Sequence, residues 1–418
     1  MSLNTRNQFF MNKNVGIILS RKGGTIMKSK YVLVLLPLMS IALTSCSQVR
    51  KYEEHLDDYV FTMKYHQNFN VLQLTDIHWN ANTSTMVSKT YLEKLFDQVD
   101  KHIKEEQGSE RGIDLVELTG DQFMLATSYQ VSTFLEFMEK QAEKHGFKYA
   151  AIWGNHDRHG IYNPNWLADS FKKASHCIYT EPNDNLYGRS NFVINLTEDG
   201  TTATSTKWQL ANVDSGASFS DTAISPFRDY DYVRKDQTDW WVKEHAKVGE
   251  EVPTIAYYHI PQDENQKAWD LRKEQSFKNK FFRLEGFGDN GTGNYESNFV
   301  DEGARHNLKA VFSGHAHNVD WTVEYRDPNW EADQKSVILG LGVKTGSELY
   351  FAHVDASTTD PDMKEGLESV GITENFDLIG ASLVTITDDP SLIEGKFDIQ
   401  HLYFNERTNE DFVRWVKW

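Results

Sequence analysis

Histidine, aspartate and asparagine recur at five points of this sequence where an apolar run ends. The residues with side chains suited to binding a metal are Asp76, His78, Asp121, Asn155, His259, His315 and His317. Carboxylate, imidazole and amide groups are ligands for Zn²⁺, Mn²⁺ or iron, and no thiolate in the set narrows that choice. Seven ligands are enough for two cations. The pattern therefore predicts a dinuclear metal centre whose metal identity is open.

The local sequence around these residues suits a crowded site. Glycine stands directly before Asp121, Asn155 and His315, and glycine lets the backbone turn sharply or approach a ligand closely. Asp76 and His78 are two residues apart, as are His315 and His317. Residues with that spacing share one face of a regular strand. We expect each pair to reach the metals together.

The ligand count suggests how two ions would divide the set. One ion would take Asp76, His78 and His317, the other would take Asn155, His259 and His315, and Asp121 would bridge them. Two cations about 3.5–4 Å apart can clamp a phosphoryl oxygen and turn a bridging water into a hydroxide nucleophile near neutral pH.

Two neighbouring residues are candidates for proton transfer. His156 follows the ligand Asn155 and is expected to stay off the metals. Pointing into the site, it would protonate the leaving oxygen, with Asp157 or another carboxylate holding its tautomer. These roles together predict a metal-dependent hydrolase of phosphate esters.

Each candidate motif follows a segment that reads as a buried strand. These strands cover residues 70–75, 113–118, 149–153, 254–258 and 308–312. Amphipathic helices separate the first three, with Gly108 and Gly146 as their stops. The alternation predicts βαβ units and a largely parallel sheet, in which ligands collect at the carboxyl ends of strands. Further strands are predicted at 192–196, 208–213, 336–341 and 381–386, the last two completing a second sheet, and a helix is predicted at 237–247.

The order of motifs, D-x-H, G-D, G-N-H-[DE], H and G-H-x-H, resembles the calcineurin-like metallophosphoesterase superfamily over roughly residues 70–321. The resemblance implies an α/β fold, a βαββαβ-derived sandwich of two sheets flanked by helices, and the dinuclear ligand division given above. Segments 72–78 and 259–261 are similar to bacterial, fungal and plant proteins related to purple acid phosphatases. True purple enzymes have glycine in place of His78 and a tyrosine ligand in place of Met124. A purple ferric site is therefore not expected.

The N-terminus resembles a bacterial lipoprotein signal. Lys28 and Lys30 precede an apolar run at 31–43, which ends in Leu-Thr-Ser-Cys at Cys46. We expect residues 1–45 to be an upstream extension and signal peptide and Cys46 to carry a lipid anchor. Residues 46–68 would be a polar tether, and residues 69–418 a single domain that includes the C-terminal strands. An ordinary secretory signal or an anchor helix is the alternative. The expected location is extracytoplasmic and attached to a membrane.

The formal charge of −18 argues against nucleic acid as a main partner, because no basic stripe is present to neutralise phosphates. The expected partner is a phosphorylated small molecule attracted by bound cations. Arg158 and His159 are weaker candidates for contacting its phosphate. Asp214 reads as a turn residue, and Lys344 is a further candidate for lining the cleft.

Several functional alternatives stay open. Phosphate monoesters are the leading substrate class, and diesters are the nearest alternative because the sequence does not give the width of the cleft. A lipoprotein that keeps the fold for binding with its site unused, or a solute-binding lipoprotein of a transporter, would be a different class of protein. The sequence does not indicate an oligomeric state.

Overall fold

The computed structural model describes residues 59–80, 85–158, 164–181, 186–217, 230–271, 281–283, 297–347, 353–369, 372–388, 397–404 and 414–417. Contacts divide the chain into Met1–Cys46 and Ser47–Trp418, and all the described residues belong to the second unit. The predicted signal peptide, Cys46 and His159 lie outside the described residues.

Two eight-stranded sheets form the core of this unit. The first sheet has the strand order β1 (Val60–Lys64), β6 (Phe192–Thr197), β7 (Thr206–Asn212), β8 (Thr254–Tyr257), β10 (Leu308–Ser313), β12 (Val337–Leu341), β11 (Trp321–Tyr325) and β9 (Phe281–Arg283). The second has the order β16 (Arg414–Lys417), β15 (Phe397–Phe404), β14 (Phe376–Ile386), β2 (Phe69–Leu74), β3 (Leu115–Thr119), β4 (Lys148–Ile152) and β5 (Cys177–Ile178), and β13 (His353–Val354) also pairs with β14.

Seven α-helices accompany the sheets in the described part of the chain. They are α1 (Thr85–Gln107), α2 (Ser128–His145), α3 (Pro164–Lys173), α4 (Lys235–Val248), α5 (Asp263–Leu271), α6 (Phe299–Gly303) and α7 (Pro361–Ser369). Helix α2 begins with a capping box between Thr127 and Gln130 and ends at Gly146, which has φ 82 and donates its N–H to the Ala142 carbonyl. The predicted stop at Gly146 is confirmed. None of the helices in the described segments combines the length and apolar character needed to span a bilayer.

Alternation along the strands shows how the layers pack. In β8, Ile255 and Tyr257 belong to one hydrophobic cluster, while Ala256 belongs to another. The first cluster also holds side chains of β2, β3 and β4, so it includes the interface between the two sheets. The second cluster contains residues of α4, α5 and α6, including Trp241 and Trp269. Because successive residues of a strand face opposite sides, the first sheet is covered by the second sheet on one face and by helices on the other.

The two-sheet α/β sandwich flanked by helices is therefore confirmed, with three differences in detail. Both sheets are mixed rather than largely parallel. In the first sheet β7, β8, β10 and β12 are parallel, and β11 pairs antiparallel with β12. In the second sheet β2 to β5 are parallel, and β14 pairs antiparallel with β2 and β15. Strands β12 and β14 lie in different sheets, so the two C-terminal strands do not complete one sheet together. Strand β1 lies inside the segment predicted as a tether and pairs in parallel with β6.

Candidate metal centre

The predicted ligands meet where the carboxyl ends of strands from both sheets come together. Asp76, Asp121 and Asn155 follow β2, β3 and β4 of the second sheet, whereas His259 and His315 follow β8 and β10 of the first. Backbone hydrogen bonds tie the turns to one another within each sheet. The Asp76 N–H donates to the Gly120 carbonyl at 3.1 Å, and the Gly314 N–H donates to the His259 carbonyl at 2.9 Å.

Backbone conformation is unusual at this edge. Asp76, His78, Asp121 and His315 have φ values of 52, 49, 52 and 71, in the left-handed region. Only two other non-glycine residues in the described segments share that region. The left-handed region is unfavourable for residues other than glycine. Non-glycine residues that adopt it concentrate at functional sites, where the surrounding structure holds them in place. Here each of these turns points a polar side chain into the junction of the sheets.

The side chains form two groups of potential ligands that share one carboxylate. Asp76, His78, Asp121 and His317 form the first group, and Asp121, His259 and His315 form the second. Within each group the ligand atoms all lie within 4.8 Å of one another. Asp121 is the shared member.

The atoms of the first group converge on a small space. His78 Nε2 and His317 Nε2 lie 2.9 Å apart, and Asp76 Oδ1 lies 3.2 Å from His317 Nε2 and 3.8 Å from His78 Nε2. Asp121 Oδ2 is 3.7 Å from His78 Nε2. Two imidazole nitrogens and two carboxylate oxygens therefore face one another in a buried space.

The second group is arranged around His259. Its Nε2 atom lies 3.3 Å from Asp121 Oδ2 and 3.1 Å from Asn155 Oδ1. Its Nδ1 atom lies 2.9 Å from the Thr119 carbonyl oxygen, which can only accept a hydrogen bond. That contact holds a proton on Nδ1, so Nε2 is the nitrogen that would bind a metal once it has lost its own proton. The rings of His259 and His315 are 5.3 Å apart.

Each carboxylate uses one oxygen to hold the protein and presents the other to the imidazoles. Asp76 Oδ2 accepts from Thr75 Oγ1 at 2.7 Å and from the His315 N–H at 2.8 Å. Asp76 Oδ1 is buried and has no hydrogen-bond partner in the described segments. Asp121 Oδ1 accepts from the His156 N–H at 2.7 Å, while its Oδ2 faces His78 and His259. A buried carboxylate oxygen without a donor is costly, and a cation between these atoms would satisfy it. The residues present therefore fit divalent ions.

Burial and mutual charge set the ionisation of the centre. Burial lowers the pKa of His78 well below its usual value and that of His315 to about 3, so both rings are neutral and keep a lone pair for a metal. Burial also lowers the pKa of His259, but the Asp121 carboxylate outweighs it and raises the pKa to about 9. Burial opposes the charge on Asp76 and Asp121, yet the surrounding histidines hold both pKa values well below the usual range.

The glycines before the ligands are required by space. A Cβ on Gly154 would lie 2.2 Å from Asp121 Oδ1, and a Cβ on Gly314 would lie 1.8 Å from Thr75 Oγ1. Both distances are far inside van der Waals contact. The close approach predicted for these glycines is present, and it is what lets the turns of different strands share one site.

His156 and Asp157 lie in a 3₁₀ turn directly after β4. The His156 ring packs edge-on against His78 with centroids 4.9 Å apart, so it borders the first group. Asp157 is buried, and its two oxygens accept the N–H groups of Phe123 at 3.0 Å and Gly154 at 2.8 Å. Burial and the nearby Asp121 raise the pKa of Asp157 to about 8. In these contacts Asp157 holds the loops after β3 and β4 together, and its predicted task of orienting His156 stays a prediction.

The weaker candidates also have definite places. Arg158 donates to Asp214 Oδ1, and Asp214 Oδ2 accepts the Arg189 N–H at 2.6 Å, so Asp214 is a buried acceptor rather than a simple turn residue. Lys344 is 1% exposed, and its Nζ donates to the Asp76 carbonyl at 2.7 Å. Lys344 therefore supports the turn that carries Asp76.

Tyr230 is a neighbour of the site that the sequence did not predict. Its ring packs edge-on against His315 with centroids 4.2 Å apart, closer than any other aromatic neighbour of that histidine in the described segments. Tyr230 belongs to no motif and to no periodic element, so its sequence carried no signal of this contact.

Two sheets that enclose histidines and carboxylates at their strand ends form a site suited to metal ions. A family model described as calcineurin-like phosphoesterase matches residues 69–319. The chain belongs to this family, and it is accordingly a metal-binding hydrolase that acts on phosphoester bonds.

Comparison with curated protein sequences gives no significant match. Among solved structures, the protein TT1561 of Thermus thermophilus is 11% identical with a TM-score of 0.31, covering 66% of this chain and 88% of that chain. The sulfate thiohydrolase SoxB of Thermus thermophilus, in complex with glycerol, is 9% identical with a TM-score of 0.32. That alignment covers 66% of this chain and 57% of the SoxB chain.

Proposed function

We propose that this chain hydrolyses phosphate monoesters at the candidate metal centre, using two divalent transition metal ions. The observation that supports this most strongly is that Asp121 belongs to both groups of potential ligands. A shared carboxylate can hold two cations at a short separation and partly neutralise both. A single-metal site would not need a second cluster of imidazoles beside the first.

The ligands would divide as their positions suggest. Asp76, His78 and His317 would hold one ion, His259, His315 and Asn155 would hold the other, and Asp121 would bridge them. When bound, such ions supply positive charge for the phosphoryl oxygens and a nucleophile at neutral pH. The acceptors behind the ligands, such as the Thr119 carbonyl, fix the ring orientations.

His156 is the proposed general acid. It borders the first group through its contact with His78, and its own backbone N–H is held by Asp121 Oδ1. That bond ties the position of the imidazole to the bridging carboxylate. Asp157 would position the loop through Phe123 and Gly154. We therefore assign Asp157 a positioning role and leave proton transfer to His156.

A paired assay tests the proposal. Chelator-treated protein would be loaded with Mn²⁺, Zn²⁺ or Fe²⁺ and supplied with a nitrophenyl phosphate monoester or the matching diester. We expect metal-dependent hydrolysis with a higher kcat/KM for the monoester. A higher value for the diester would replace the monoester assignment. Hydrolysis of neither ester after metal loading would contradict the enzyme proposal and favour a binding lipoprotein.

We also propose that the chain belongs with the non-purple relatives of purple acid phosphatases. His78 occupies the position of a glycine in the purple enzymes, and Met124 that of their tyrosine ligand. Without a tyrosinate, iron-loaded protein should lack the visible charge-transfer band that makes those enzymes purple. An intense visible band in the ferric protein would contradict this placement.

Membrane attachment through Cys46 is a proposal that rests on the sequence signal alone. Positive residues, an apolar run and the Leu-Thr-Ser-Cys segment support it. Expression of the full chain in a bacterial host should yield protein in the membrane fraction, at the cell surface or the periplasmic face. Cys46→Ser should remove the lipid mass, and an unchanged mass would contradict the proposal.

A further inference from the structure

We propose a second metal site, separate from the phosphoesterase centre, in which His245, Glu250 and His306 bind one divalent transition metal ion such as Zn²⁺. One potential ligand atom from each residue lies within 4.8 Å of the others. Two imidazoles and one carboxylate form a common ligand set for Zn²⁺. The proposal does not depend on the function assigned to the main centre.

The site lies at the opposite end of the strands that deliver His259 and His315 to the main centre. His245 is in the last turn of α4, and His306 stands just before β10. Strands β8 and β10 are parallel and carry His259 and His315 beyond their carboxyl ends. The loops between α4 and β8 and before β10 are joined by hydrogen bonds, because Thr254 N–H donates to the Asn307 carbonyl at 3.1 Å. The Asn307 side chain donates to the Glu251 carbonyl at 2.7 Å.

His245 is already oriented as a ligand. Its side chain is fully buried, and its Nε2 lies 2.8 Å from the Val252 carbonyl oxygen. A carbonyl only accepts, so Nε2 carries the proton, and Nδ1 of the neutral ring presents a lone pair. That Nδ1 atom is buried and has no hydrogen-bond partner in the described segments. A ring nitrogen held by a backbone carbonyl, with the other nitrogen available to an ion, is the usual arrangement of metal-binding histidine.

Glu250 and His306 complete the set from the solvent side. Glu250 Oε2 lies 2.8 Å from His306 Nδ1 and 3.7 Å from His245 Nδ1. Nitrogen and oxygen ligands of a tetrahedral zinc ion are bound at about 2.0–2.2 Å and therefore lie about 3.3 Å from each other. That separation falls between the 2.8 and 3.7 Å found here. The Glu250 side chain is 59% exposed and that of His306 is 24% exposed, so water has access to the remaining coordination position.

Metal binding would require one proton to leave His306 Nδ1. With the ion absent, the contact between His306 Nδ1 and Glu250 Oε2 is an N–H···O hydrogen bond. Coordination through Nδ1 requires that proton to move to Nε2 of the same ring, or to leave for solvent if the ring is cationic. The bound ion would then connect the end of α4 with the segment that precedes β10, and it would stabilise the folded chain.

Zinc counting on the full chain tests this site. Chelator-treated wild type, Glu250→Ala and His306→Ala would be equilibrated with Zn²⁺ and analysed for zinc per chain and for Tm. Each variant should bind one zinc fewer than wild type and lose part of the zinc-dependent rise in Tm. His353→Ala and Glu198→Ala, at partly exposed and exposed positions elsewhere, are controls that should keep the wild-type count.

Equal zinc counts in wild type, Glu250→Ala and His306→Ala would overturn the proposal. The Glu250 variant keeps the test decisive because its exposed side chain can be truncated without opening the core. Asp121→Ala separates the two sites, since it should empty the main centre and retain the zinc ion that depends on Glu250. Loss of hydrolytic activity is not a readout for this site.

Discussion

The two carboxylates of the main centre divide their oxygens between structure and chemistry. Oδ2 of Asp76 accepts hydrogen bonds from a hydroxyl and a backbone N–H, and Oδ1 of Asp121 accepts one from a backbone N–H. The other oxygen of each carboxylate faces imidazoles. Preorganisation of this kind holds the ligands in place before an ion arrives. It also separates the residues that would hold metal from His156, whose ring packs edge-on against His78 and whose backbone N–H donates to Asp121 Oδ1.

His156→Ala should therefore keep the metal content of wild type and lose turnover. We expect kcat to fall by roughly 10²–10⁴-fold for esters with poor leaving groups, because a general acid contributes about that much. A nitrophenyl ester has a better leaving group and should be affected less. The ratio of the two rates in wild type and variant is the measurement.

His353→Ala is the matched control for this substitution, since His353 hydrogen-bonds Asp377 away from the centre. It should leave both rates unchanged. A His156→Ala protein that loses its metal, or that slows both esters equally, would contradict the role of His156 as an acid.

At the scale of elements, the site depends on strands ending close together. Gly154 follows β4 and packs closely against the loop after β3. Because Gly154 has no side chain, there is room for Asp121 beside it. Asp157 then joins the same two loops from the other side. These contacts make the geometry of the bridging carboxylate a property of two strand ends rather than of one residue.

Gly154→Ala should displace Asp121 while leaving the sheets intact. The added Cβ would lie 2.2 Å from Asp121 Oδ1 and 2.3 Å from its backbone nitrogen. A displacement of about 1 Å costs on the order of 10²-fold in rate, so we expect at least that loss of kcat/KM together with lower metal content. Gly146→Ala is the control: no atom lies within 4 Å of its Cβ, and its φ of 82 predicts a stability loss of about 1 kcal/mol with metal retained. Full activity in Gly154→Ala would contradict this account.

Glu117, in the middle of β3, provides a prediction about pH. It is fully buried, and burial raises its pKa to about 8, although the neighbouring Asn212 amide opposes that shift. Between pH 4.5 and 8 the folded protein keeps this proton while the unfolded chain has lost it. The free energy of unfolding therefore falls as pH rises through that window. Glu117→Gln removes the titration.

The variant should be more stable than wild type at pH 7.5, by on the order of 2–4 kcal/mol, and the difference should shrink toward pH 5. Denaturant unfolding at several pH values measures it. Glu198→Gln, at an exposed position, should leave the pH dependence of wild type unchanged. A constant difference between Glu117→Gln and wild type across this range would show that the proton on Glu117 does not control stability.

The strand ends were predictable from sequence because each apolar run stops at a glycine or a polar ligand type. Helix α2 was equally predictable from the spacing of its apolar residues and from Gly146 at its end. Sheet membership of β12 and β14 was not, since pairing is a tertiary choice between strands of similar composition. The contact of Tyr230 with His315 and the distal cluster of His245, Glu250 and His306 could not be predicted, because each joins residues of separate segments that only the fold brings together.

At the scale of the whole molecule, the main centre joins the two sheets. Asp76, Asp121 and Asn155 come from one sheet, and His259 and His315 come from the other. Ions held between them would bind the folded chain and not the unfolded one, so metal loading should raise the Tm. The formal charge of −18 means that the protein as a whole does not attract an anionic substrate. The bound cations would supply that attraction locally.

The most direct measurement is a metal titration of chelator-treated protein, with bound metal per chain and monoester hydrolysis recorded together. Activity should be absent without metal and should rise as two Asp121-dependent ions bind. Asp121→Ala should lose those ions and the activity. Full hydrolysis by metal-free protein, or wild-type metal content in Asp121→Ala, would contradict the dinuclear account.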